Sequence, residues 1–593
     1  MMPLCLLAAG LVAGSSAAAL DEARTLLDAW QLEDALALAE KALAARPEDP
    51  QTWVLAAEVL HQRGEHLGAL ALFDAANQAG AELPVPLAAL VEGSARYQSA
   101  FETVETAHFK VRYLNKDEIV ADYAKAVLEA SYRNIAGDLA FLPAERGEKI
   151  VVEIYPDARG LAAATGLTLK EIETSGTIAV CKFHRLMITS PLATASGYDW
   201  ADTVAHEFTH LVISKKSKNT IPIWLHEGIA KFYESRWKGK LGEALSPYGE
   251  KLLANAVRTK KFITFDEMHP SMAKLSSQED AALAFAEVFT VIEFLTGKLG
   301  AKSIPKVLEL AAQGVEVEAA LHQVYGMPLK GIEAAWHKYL GARKFKDVPG
   351  AAPHKIRLAA NETEAQAEAP IEEMEDKPAH DFARLGELLQ LRNQHQAAIV
   401  EYEKAYARAG VRYGTLVNKL ARAYVTVGRA DAGLKVLDAL LGAQPDDADA
   451  HLLAGRIAYD KHDAAVARRH YEAVRFMNPF NPEIHAVLAK LYEAAGDTAT
   501  AEREKAFFTL CTKPRPTRTY ELPPKASGNA TVSIVAPRWD SVRIDAGLPL
   551  ATPWWRQPLD AGPHSVEYRR QDGSVAVRSF TLTAGQSQTL MLE

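Results

Sequence analysis

Cysteine is scarce in this chain of 593 residues, which contains three, at positions 5, 181 and 511. So few cysteines exclude a disulfide framework and a cysteine-rich zinc module. Any metal must therefore be held by histidine and carboxylate side chains. An excess of basic residues is also missing, since 66 Lys and Arg against 75 Asp and Glu leave a formal net charge of −9. That balance argues against nucleic acid as a partner.

Long hydrophobic runs are missing as well. Beyond Leu20, no uninterrupted apolar segment approaches the length of a membrane-spanning helix, so we expect no transmembrane segment in the mature chain. The composition is 48% hydrophobic and 24% charged, which excludes a wholly disordered or fibrous protein. The length predicts about three to five domains.

The start of the chain, from Met1 to Leu20, contains no charged side chain. Leu4–Val12 has the length of the apolar core of a secretory signal, and small residues suited to cleavage follow it. We therefore predict a signal peptide over residues 1–19 and an extracytoplasmic location, periplasmic or secreted. The missing basic residue at its start departs from the rule and suggests a displaced start codon. The alternative is an apolar first helix of the next domain.

A repeated pattern of small and large residues marks both ends of the chain. Leu385, Leu420, Ala454 and Leu488 occupy equivalent positions and follow one another at a nearly constant interval. This interval and the accompanying small and aromatic residues resemble the tetratricopeptide repeat (TPR). The pattern predicts TPR-like helices over 20–98 and about four repeats over 379–510. We expect a protein partner on these arrays, although the repeats also fit a role as scaffold only.

Two further segments complete the organisation. Residues 346–378 are acidic and poor in hydrophobic residues, which predicts a flexible linker. Residues 527–593 alternate apolar and polar positions between Gly, Pro and Asp, so they predict a small all-β module. This last segment resembles a PEGA domain, which implies an accessory β-sandwich without chemistry of its own.

The segment 201–213 contains the pattern HExxH, in His206-Glu207-Phe208-Thr209-His210. It is free of Gly and Pro and apolar on one side, so it predicts a helix. Both His then lie one turn apart on the same face and can reach one metal ion. Glu207 flanks that face and can hold a water near the metal, as in zinc peptidases.

A second helix is predicted to follow the HExxH helix after a short connection, with Glu227 near its start. A helix, a turn and an antiparallel helix bring Glu227 back beside the two histidines. Catalytic zinc takes three protein ligands and keeps an open position, and His206, His210 and Glu227 match that count. We therefore expect one Zn²⁺ per chain.

HExxH followed by WLxEGxA resembles the gluzincin clan, in particular the peptidase MA-like metallopeptidases. The resemblance extends over about residues 100–345, with the active-site helices at 200–236 and a helical subdomain at 280–342. The segment from Arg185 to Pro191 resembles the edge strand that borders the cleft and pairs with extended substrate. It implies a mainly α multidomain protein with an α+β metallopeptidase core. Carried over to this sequence, it makes His206, His210 and Glu227 the zinc ligands and Glu207 the general base.

Other site residues are assigned less narrowly by the sequence. Tyr233 and Tyr248 are both candidates to stabilise the oxyanion, and either can instead be a packing residue. Asp202 and Glu234 are candidates to orient the ligand imidazoles, or solvated charges. His226 is predicted not to be a ligand, because it points away from the metal on a helix.

The expected function is hydrolysis of peptide bonds by an exported zinc metallopeptidase, with the repeats recruiting a protein substrate or partner. The stretch 175–181 lacks the carboxylate that anchors a free amine in aminopeptidases, which favours an endopeptidase. Glu171 and Glu173 lie just before that stretch and leave the question open. The alternatives are a non-catalytic TPR scaffold that retains a metal-binding peptidase fold, and a zinc hydrolase acting on cell-wall peptide.

Overall fold

The computed structural model describes residues 21–593 except 145–147, 244, 273–274, 347, 354–355, 360–370, 514–515, 517–519, 523–526 and 571–573. The predicted signal peptide lies outside this part of the chain. Helices predominate in the described part, together with one five-stranded sheet and a β-rich C-terminal region, as the expected multidomain, mainly helical class requires. No helix found there combines the length and the apolar character that crossing a membrane requires.

Antiparallel helices form the N-terminal part. Asp49 caps α3 by accepting a hydrogen bond from the Gln51 amide at 3.0 Å, and Pro50 occupies the first turn, where an N–H is not needed. Ala56 and Ala69 are fully buried and let neighbouring helices approach closely. The helices described here are α1 (residues 21–28), α2 (Leu32–Ala45), α3 (Pro50–Gln62), α4 (His66–Gln78) and α5 (Val85–Gln98).

The central domain is built on a mixed sheet whose strand order is β1-β2-β3-β5-β4. Its strands are β1 (Glu102–Glu105), β2 (Phe109–Tyr113), β3 (Ile150–Tyr155), β4 (Ala179–Lys182) and β5 (Arg185–Thr189). The inner strands β2, β3 and β5 run parallel, and each outer strand is antiparallel to its neighbour. Side chains alternate, so Val152 and Ile154 enter the main core while Glu153 faces the opposite side.

One strand position differs from what the sequence suggests. The segment beginning at Arg185 resembles the edge strand of the peptidase family, but it forms the inner strand β5, and β4 is the edge. The cause is a tight hairpin turn at Phe183 and His184, which both have positive φ (53° and 57°). Such a two-residue turn needs positive φ at both positions and normally uses Asn or Gly. Because Phe and His occupy these positions, the turn could not be predicted from the sequence.

Helices cover the sheet and carry the site. α9 packs on the apolar face of the sheet through Val204 and Phe208, and α10 lies between α9 and α12. A π-helical turn at Tyr132–Ala136 extends α6. The helices of this domain are α6 (Glu118–Ser131), α7 (Ala158–Thr165), α8 (Leu169–Ser175), α9 (Trp200–Ser217), α10 (Ile223–Tyr233), α11 (Pro247–Thr259), α12 (Gln278–Leu299), α13 (Ser303–Ala312), α14 (Val317–Tyr325) and α15 (Leu329–Ala342).

The C-terminal array consists of helical hairpins packed in series. Within a hairpin a glycine faces a tyrosine ring: a Cβ at Gly386 would lie 2.8 Å from Tyr402, and one at Gly455 would lie 3.1 Å from Tyr471. These glycines explain the small residue in each repeat. The described helices are α16 (Lys377–Leu391), α17 (His395–Ala409), α18 (Gly414–Thr426), α19 (Ala430–Ala443), α20 (Ala448–Asp460), α21 (Ala464–Arg475), α22 (Pro482–Ala494) and α23 (Thr498–Thr512).

Parts of the predicted flexible linker, residues 346–378, make defined contacts with the neighbouring domains in the segments that the structure describes. Leu358 forms an antiparallel bridge with Thr194, and the N–H of Ala195 donates to the carbonyl of Arg357 at 2.8 Å. Ile371 is buried against the C-terminal array. These apolar residues flank the acidic run, and their burial favours packing of the segment. The average composition of the segment, which is acidic and polar, does not reveal this.

The β-rich C-terminal region contains a four-stranded and a three-stranded sheet around a shared core that includes Val532, Val566 and Phe580. It packs against the N-terminal helices, where Trp555 lies 5.7 Å from Trp53 between ring centroids. Its strands are β6 (Ala530–Val535), β7 (Ser541–Ile544), β8 (Leu550–Ala551), β9 (Trp554–Leu559), β10 (Gly562–Arg569), β11 (Val575–Leu582) and β12 (Ser587–Met591).

A buried polar network joins the N-terminal helices to the polar side of the sheet. Glu153 is fully buried and lies 2.9 Å from His66 Nε2, 3.3 Å from the Arg112 guanidinium and 3.3 Å from that of Arg185. Burial raises the pKa of Glu153, but the neighbouring Arg185 outweighs it and the pKa lies well below its usual value. The carboxylate is thus held ionised between two cations.

Candidate metal centre

Helix α9 carries three of the four residues predicted to bind the metal or act as general base, namely His206, Glu207 and His210. The rings of His206 and His210 stand one turn apart, with centroids 4.7 Å apart. The opposite side of the helix is apolar and fully buried, so the orientation of the histidines is fixed by packing on the sheet. α9 ends at Ser217, and the positive φ of 53° at the following residue, Lys218, terminates the helix.

Glu227 reaches the two histidines from α10. Its position depends on Gly228, because a Cβ there would lie 2.9 Å from the carbonyl oxygen of Val288 on α12. The glycine therefore lets α10 sit close to α12 and bring Glu227 back to α9. The Glu227 carboxylate lies 3.5 Å from Nε2 of His206 and 3.5 Å from Nε2 of His210.

These three side chains fit a zinc ion by donor type and by spacing. Their ligand atoms all lie within 4.8 Å of one another, and the two Nε2 atoms are 3.1 Å apart. Ligand atoms about 2.1 Å from a tetrahedral zinc lie about 3.4 Å from each other. The observed separations of 3.1 and 3.5 Å match that value. Two imidazoles and one carboxylate leave a fourth position open for water or substrate.

The carboxylates of the site differ in their proton affinity. Burial raises the pKa of Glu227, but the charges and hydrogen bonds of His210 and His206 outweigh it and hold the pKa well below its usual value. Glu207 is buried too, and burial raises its pKa; the charges of His210 and His206 oppose the rise. Glu207 also lies near the backbone of Cys181 on the edge strand β4.

Of the two predicted orienting carboxylates, the structure brings one to the site. Glu234 lies 3.2 Å from Nδ1 of His206 and is held by Lys231 Nζ at 2.5 Å. Asp202 instead accepts hydrogen bonds from Trp237 Nε1 at 2.7 Å and from Lys238 Nζ at 2.8 Å. Asp202 therefore anchors the segment after α10 and does not orient an imidazole.

His226 has a role that the sequence did not reveal. It lies beside the His206, His210 and Glu227 cluster, with its Nδ1 2.6 Å from Nδ1 of His210 and its Nε2 3.1 Å from the Ser214 hydroxyl. Burial and the neighbouring His210 lower the pKa of His226 to about 3, so it is neutral. The signal available in the sequence is that Ser214 follows His210 by one helical turn on the same face.

The two tyrosine candidates occupy different surroundings. Tyr233 is fully buried and packs edge-on against Phe232, with ring centroids 5.7 Å apart. Tyr248 is half-buried and lines a cavity that also contains His206 and Glu234. Burial raises the pKa of Tyr248, so its hydroxyl stays protonated and able to donate.

That cavity has a volume of about 910 Å³ and opens beside His206. One wall consists of α9, α10 and the start of α11. The facing wall comes from the C-terminal array, through the turn before α20 and through α20 and α21. Nothing in the sequence pattern brings these elements together.

Comparison with known proteins agrees with the two main resemblances. Residues 141–342 match the Peptidase MA superfamily, and residues 20–84, 418–465 and 452–506 match the tetratricopeptide repeat. No curated protein matches the chain. A solved structure titled "Structure of Naa15/Naa10 bound to HypK-THB" is 16% identical, covers 85% of this chain and 70% of its own, and has a TM-score of 0.19, which is too low to support an argument. The expected peptidase domain and repeats are confirmed; the gluzincin and PEGA assignments stay predictions.

Proposed function

We propose that this chain, which contains a Peptidase MA superfamily domain and tetratricopeptide repeats, is a zinc-dependent peptidase with Glu207 as its general base. The observation that carries the proposal is the convergence of His206, His210 and Glu227, whose ligand atoms have the spacing of a tetrahedral zinc site. A zinc ion held there supplies a Lewis acid for the scissile carbonyl and lowers the pKa of a water molecule toward 7.

Side chains of the protein supply the general base, orient the zinc ligands and stabilise the oxyanion. Glu207 accepts the proton of the attacking water and passes it to the leaving amine. Its buried position raises its pKa, which suits a group that must both accept and release a proton. Glu234 and His226 hold the ring orientations of His206 and His210. Tyr248 is our candidate to donate a hydrogen bond to the oxyanion, because it lines the same cavity as His206.

The edge strand β4 supports an endopeptidase. It packs against α9, the helix that carries Glu207, and an extended substrate can pair with an exposed strand edge there. No residue of Ala179–Lys182 is acidic, so this strand has no anchor for a free amine. Glu171, which could have served as an anchor, caps its own helix through Thr168. The enzyme is therefore proposed to cleave within a chain.

Export and partner recruitment belong to the same proposal. The uncharged start of the chain supports an extracytoplasmic location. The repeats support interaction with a protein, because stacked helical hairpins present extended surfaces to other chains.

The proposal is tested with purified protein by elemental analysis of bound metal and by cleavage of an unstructured peptide library. We expect one zinc per chain, with cleavage that is lost on chelation and restored by zinc. Glu207→Gln should keep its zinc and lose about 10²–10⁴-fold in kcat. Glu318→Gln, an exposed residue on α14, is the matched control and should behave as wild type. Full activity of Glu207→Gln would refute the mechanism, and bound zinc without any cleavage would support the scaffold alternative.

A further inference from the structure

The C-terminal array is fixed against the start of α9. Phe476 packs on Trp200 and Trp237, with ring centroids 5.9 and 5.1 Å apart, and the N–H of Tyr198 donates to the carbonyl of Met477 at 3.2 Å. Gly197 is required at this contact, because a Cβ there would lie 2.3 Å from the same carbonyl oxygen. The array thus approaches the central domain at backbone distance.

The last repeat adds a buried polar contact with α6. Glu504 is fully buried, and its carboxylate accepts a hydrogen bond from the Tyr123 hydroxyl at 2.8 Å. His485 donates from Nδ1 to the same carboxylate at 2.7 Å. A buried carboxylate satisfied across the interface ties the array to the central domain in one geometry.

The two domains enclose a continuous space beside the metal centre. The cavity of about 910 Å³ next to His206 adjoins a second one of about 500 Å³, and both are lined by Ala352, Pro353, Gln444 and Asp446. The space therefore runs from the metal centre along the array. Ligand pockets span about 300–1,000 Å³, so this space holds a segment of several residues and excludes a folded domain.

Both walls carry charged side chains, some paired and some not; on the central domain, Asp199 has no ion-pair partner among the described residues. On the central domain, Asp202 is paired with Lys238 and Glu234 with Lys231. On the array, Arg469 is exposed to the cavity and has no ion-pair partner within the described part of the chain. Asp446 is half-buried and likewise has no ion-pair partner among the described residues. Asp446 also acts electrostatically on Lys231 across the cavity, so the array presents two charges that neighbour the cavity and are not taken up in an ion pair.

We propose that the C-terminal repeat array forms one wall of the substrate site, where Arg469 and Asp446 contact an extended, unfolded polypeptide on its way to the metal centre. This inference rests on the proposed peptidase function. It assigns the repeats to substrate binding within the chain itself, next to the reacting bond. Specificity is then set partly by a domain outside the catalytic one.

The test compares reduced, carboxymethylated ribonuclease A with the native, disulfide-bonded protein as substrates of identical sequence. We expect cleavage of the unfolded form only. Arg469→Glu should raise KM for the unfolded form about tenfold with kcat unchanged, as expected for loss of a charged hydrogen bond. Arg469→Lys should recover part of the loss. Arg392→Glu, an exposed change of equal charge outside both cavities, should leave KM unchanged.

Binding is measured separately from cleavage, so that the peptidase proposal and the substrate-wall proposal can be refuted independently of each other. Fluorescein-labelled unfolded ribonuclease A is titrated with the Glu207→Gln protein and with the same protein carrying Arg469→Glu or Asp446→Asn. Weaker binding by the double variants supports the substrate wall even if no cleavage is detected, in which case only the peptidase proposal falls. Equal binding and equal KM in all variants, with cleavage still dependent on Glu207, would overturn the substrate wall alone. Equal affinity for native ribonuclease A would overturn it too.

Discussion

Nδ1 of His210 lies 2.6 Å from Nδ1 of His226, which in turn reaches the Ser214 hydroxyl at 3.1 Å through Nε2. Nε2 of His210 faces the Glu227 carboxylate, so its proton must reside on Nδ1 when Nε2 binds a metal. His226 therefore accepts at Nδ1 and donates from Nε2 to Ser214. One neutral histidine fixes the tautomer of another, where many zinc sites use a carboxylate.

Replacing His226 should weaken the metal centre without removing a ligand. We expect His226→Phe to lower zinc affinity about 10–100-fold, because His210 loses the acceptor that orients it. Zinc affinity is measured by competition with a chromogenic chelator. Ser214→Ala is the matched control one step further along the chain of hydrogen bonds and should have a smaller effect. Unchanged zinc affinity in His226→Phe would show that His226 only fills space.

Replacing Glu234 and replacing Asp202 should have different effects on zinc affinity, measured in the same way. Glu234→Ala removes the acceptor of His206 Nδ1 and should weaken zinc binding by about one order of magnitude. Asp202→Ala leaves both imidazoles untouched, since Asp202 contacts Trp237 and Lys238. Its zinc affinity should equal that of the wild type. A zinc-binding defect confined to Asp202→Ala would reverse the assignment of these two carboxylates.

The buried Glu153 should be costly to remove. Glu153→Ala leaves the guanidinium groups of Arg112 and Arg185 without their shared carboxylate, and breaking such a buried pair costs about 3–5 kcal/mol. The measurement is the urea midpoint of unfolding. Glu105→Ala, which removes a half-exposed pair with Lys149, should cost less than about 1 kcal/mol. Equal midpoints for the two variants would contradict the structural role of the network.

The attachment of the last repeat should depend on pH. Burial lowers the pKa of His485, but hydrogen bonds with Cys511, Glu504 and the Pro479 carbonyl outweigh it and raise the pKa to about 9. A raised pKa stabilises the folded state fully below the unfolded value of about 6.5 and loses that effect as pH rises through about 9. The Tm difference between wild type and His485→Gln should therefore shrink between pH 6.5 and 9.5. A difference that is constant with pH would contradict this.

The contact between the chain ends can be tested on its own. Trp555→Ala removes an indole packed against Trp53 and should cost about 3–5 kcal/mol at that interface. We expect faster proteolysis of residues 530–593 and unchanged zinc affinity. Val577→Ala, an exposed position on β11, is the control and should resist the protease as wild type does. Equal resistance of Trp555→Ala would mean that other contacts hold the β-rich region in place.

The sequence predicts structure best where a motif or a repeat depends on the spacing of residues along the chain. His206 and His210 share a helix face by spacing alone, and Leu420 and Ala454 mark the repeats by their regular recurrence. Glu227 follows because two helices joined by a short turn return to the same place. These inferences need only local geometry.

Long-range contacts escape the same reasoning. Phe476 and Trp200 are far apart in sequence and carry no shared pattern, so the docking of the array on α9 is not visible there. Glu153 sits in a strand of apolar residues, where only the structure reveals the arginines that neutralise it. Burial and pairing of this kind depend on tertiary packing, which overrides local preference.

The meeting of the two chain ends has a consequence for how the protein is made. The Arg63 guanidinium donates to the carbonyl of Arg538 at 3.1 Å, across 475 residues. At about 5–20 residues per second, a ribosome needs roughly 25–95 s to synthesise the segment between them. During that interval the surface around Trp53 lacks the β-rich region that later covers it, so we expect apolar side chains there to stay exposed on the nascent chain. Synthesis of residues 530–593, not formation of the N-terminal helices, therefore sets the moment at which this surface is protected from aggregation.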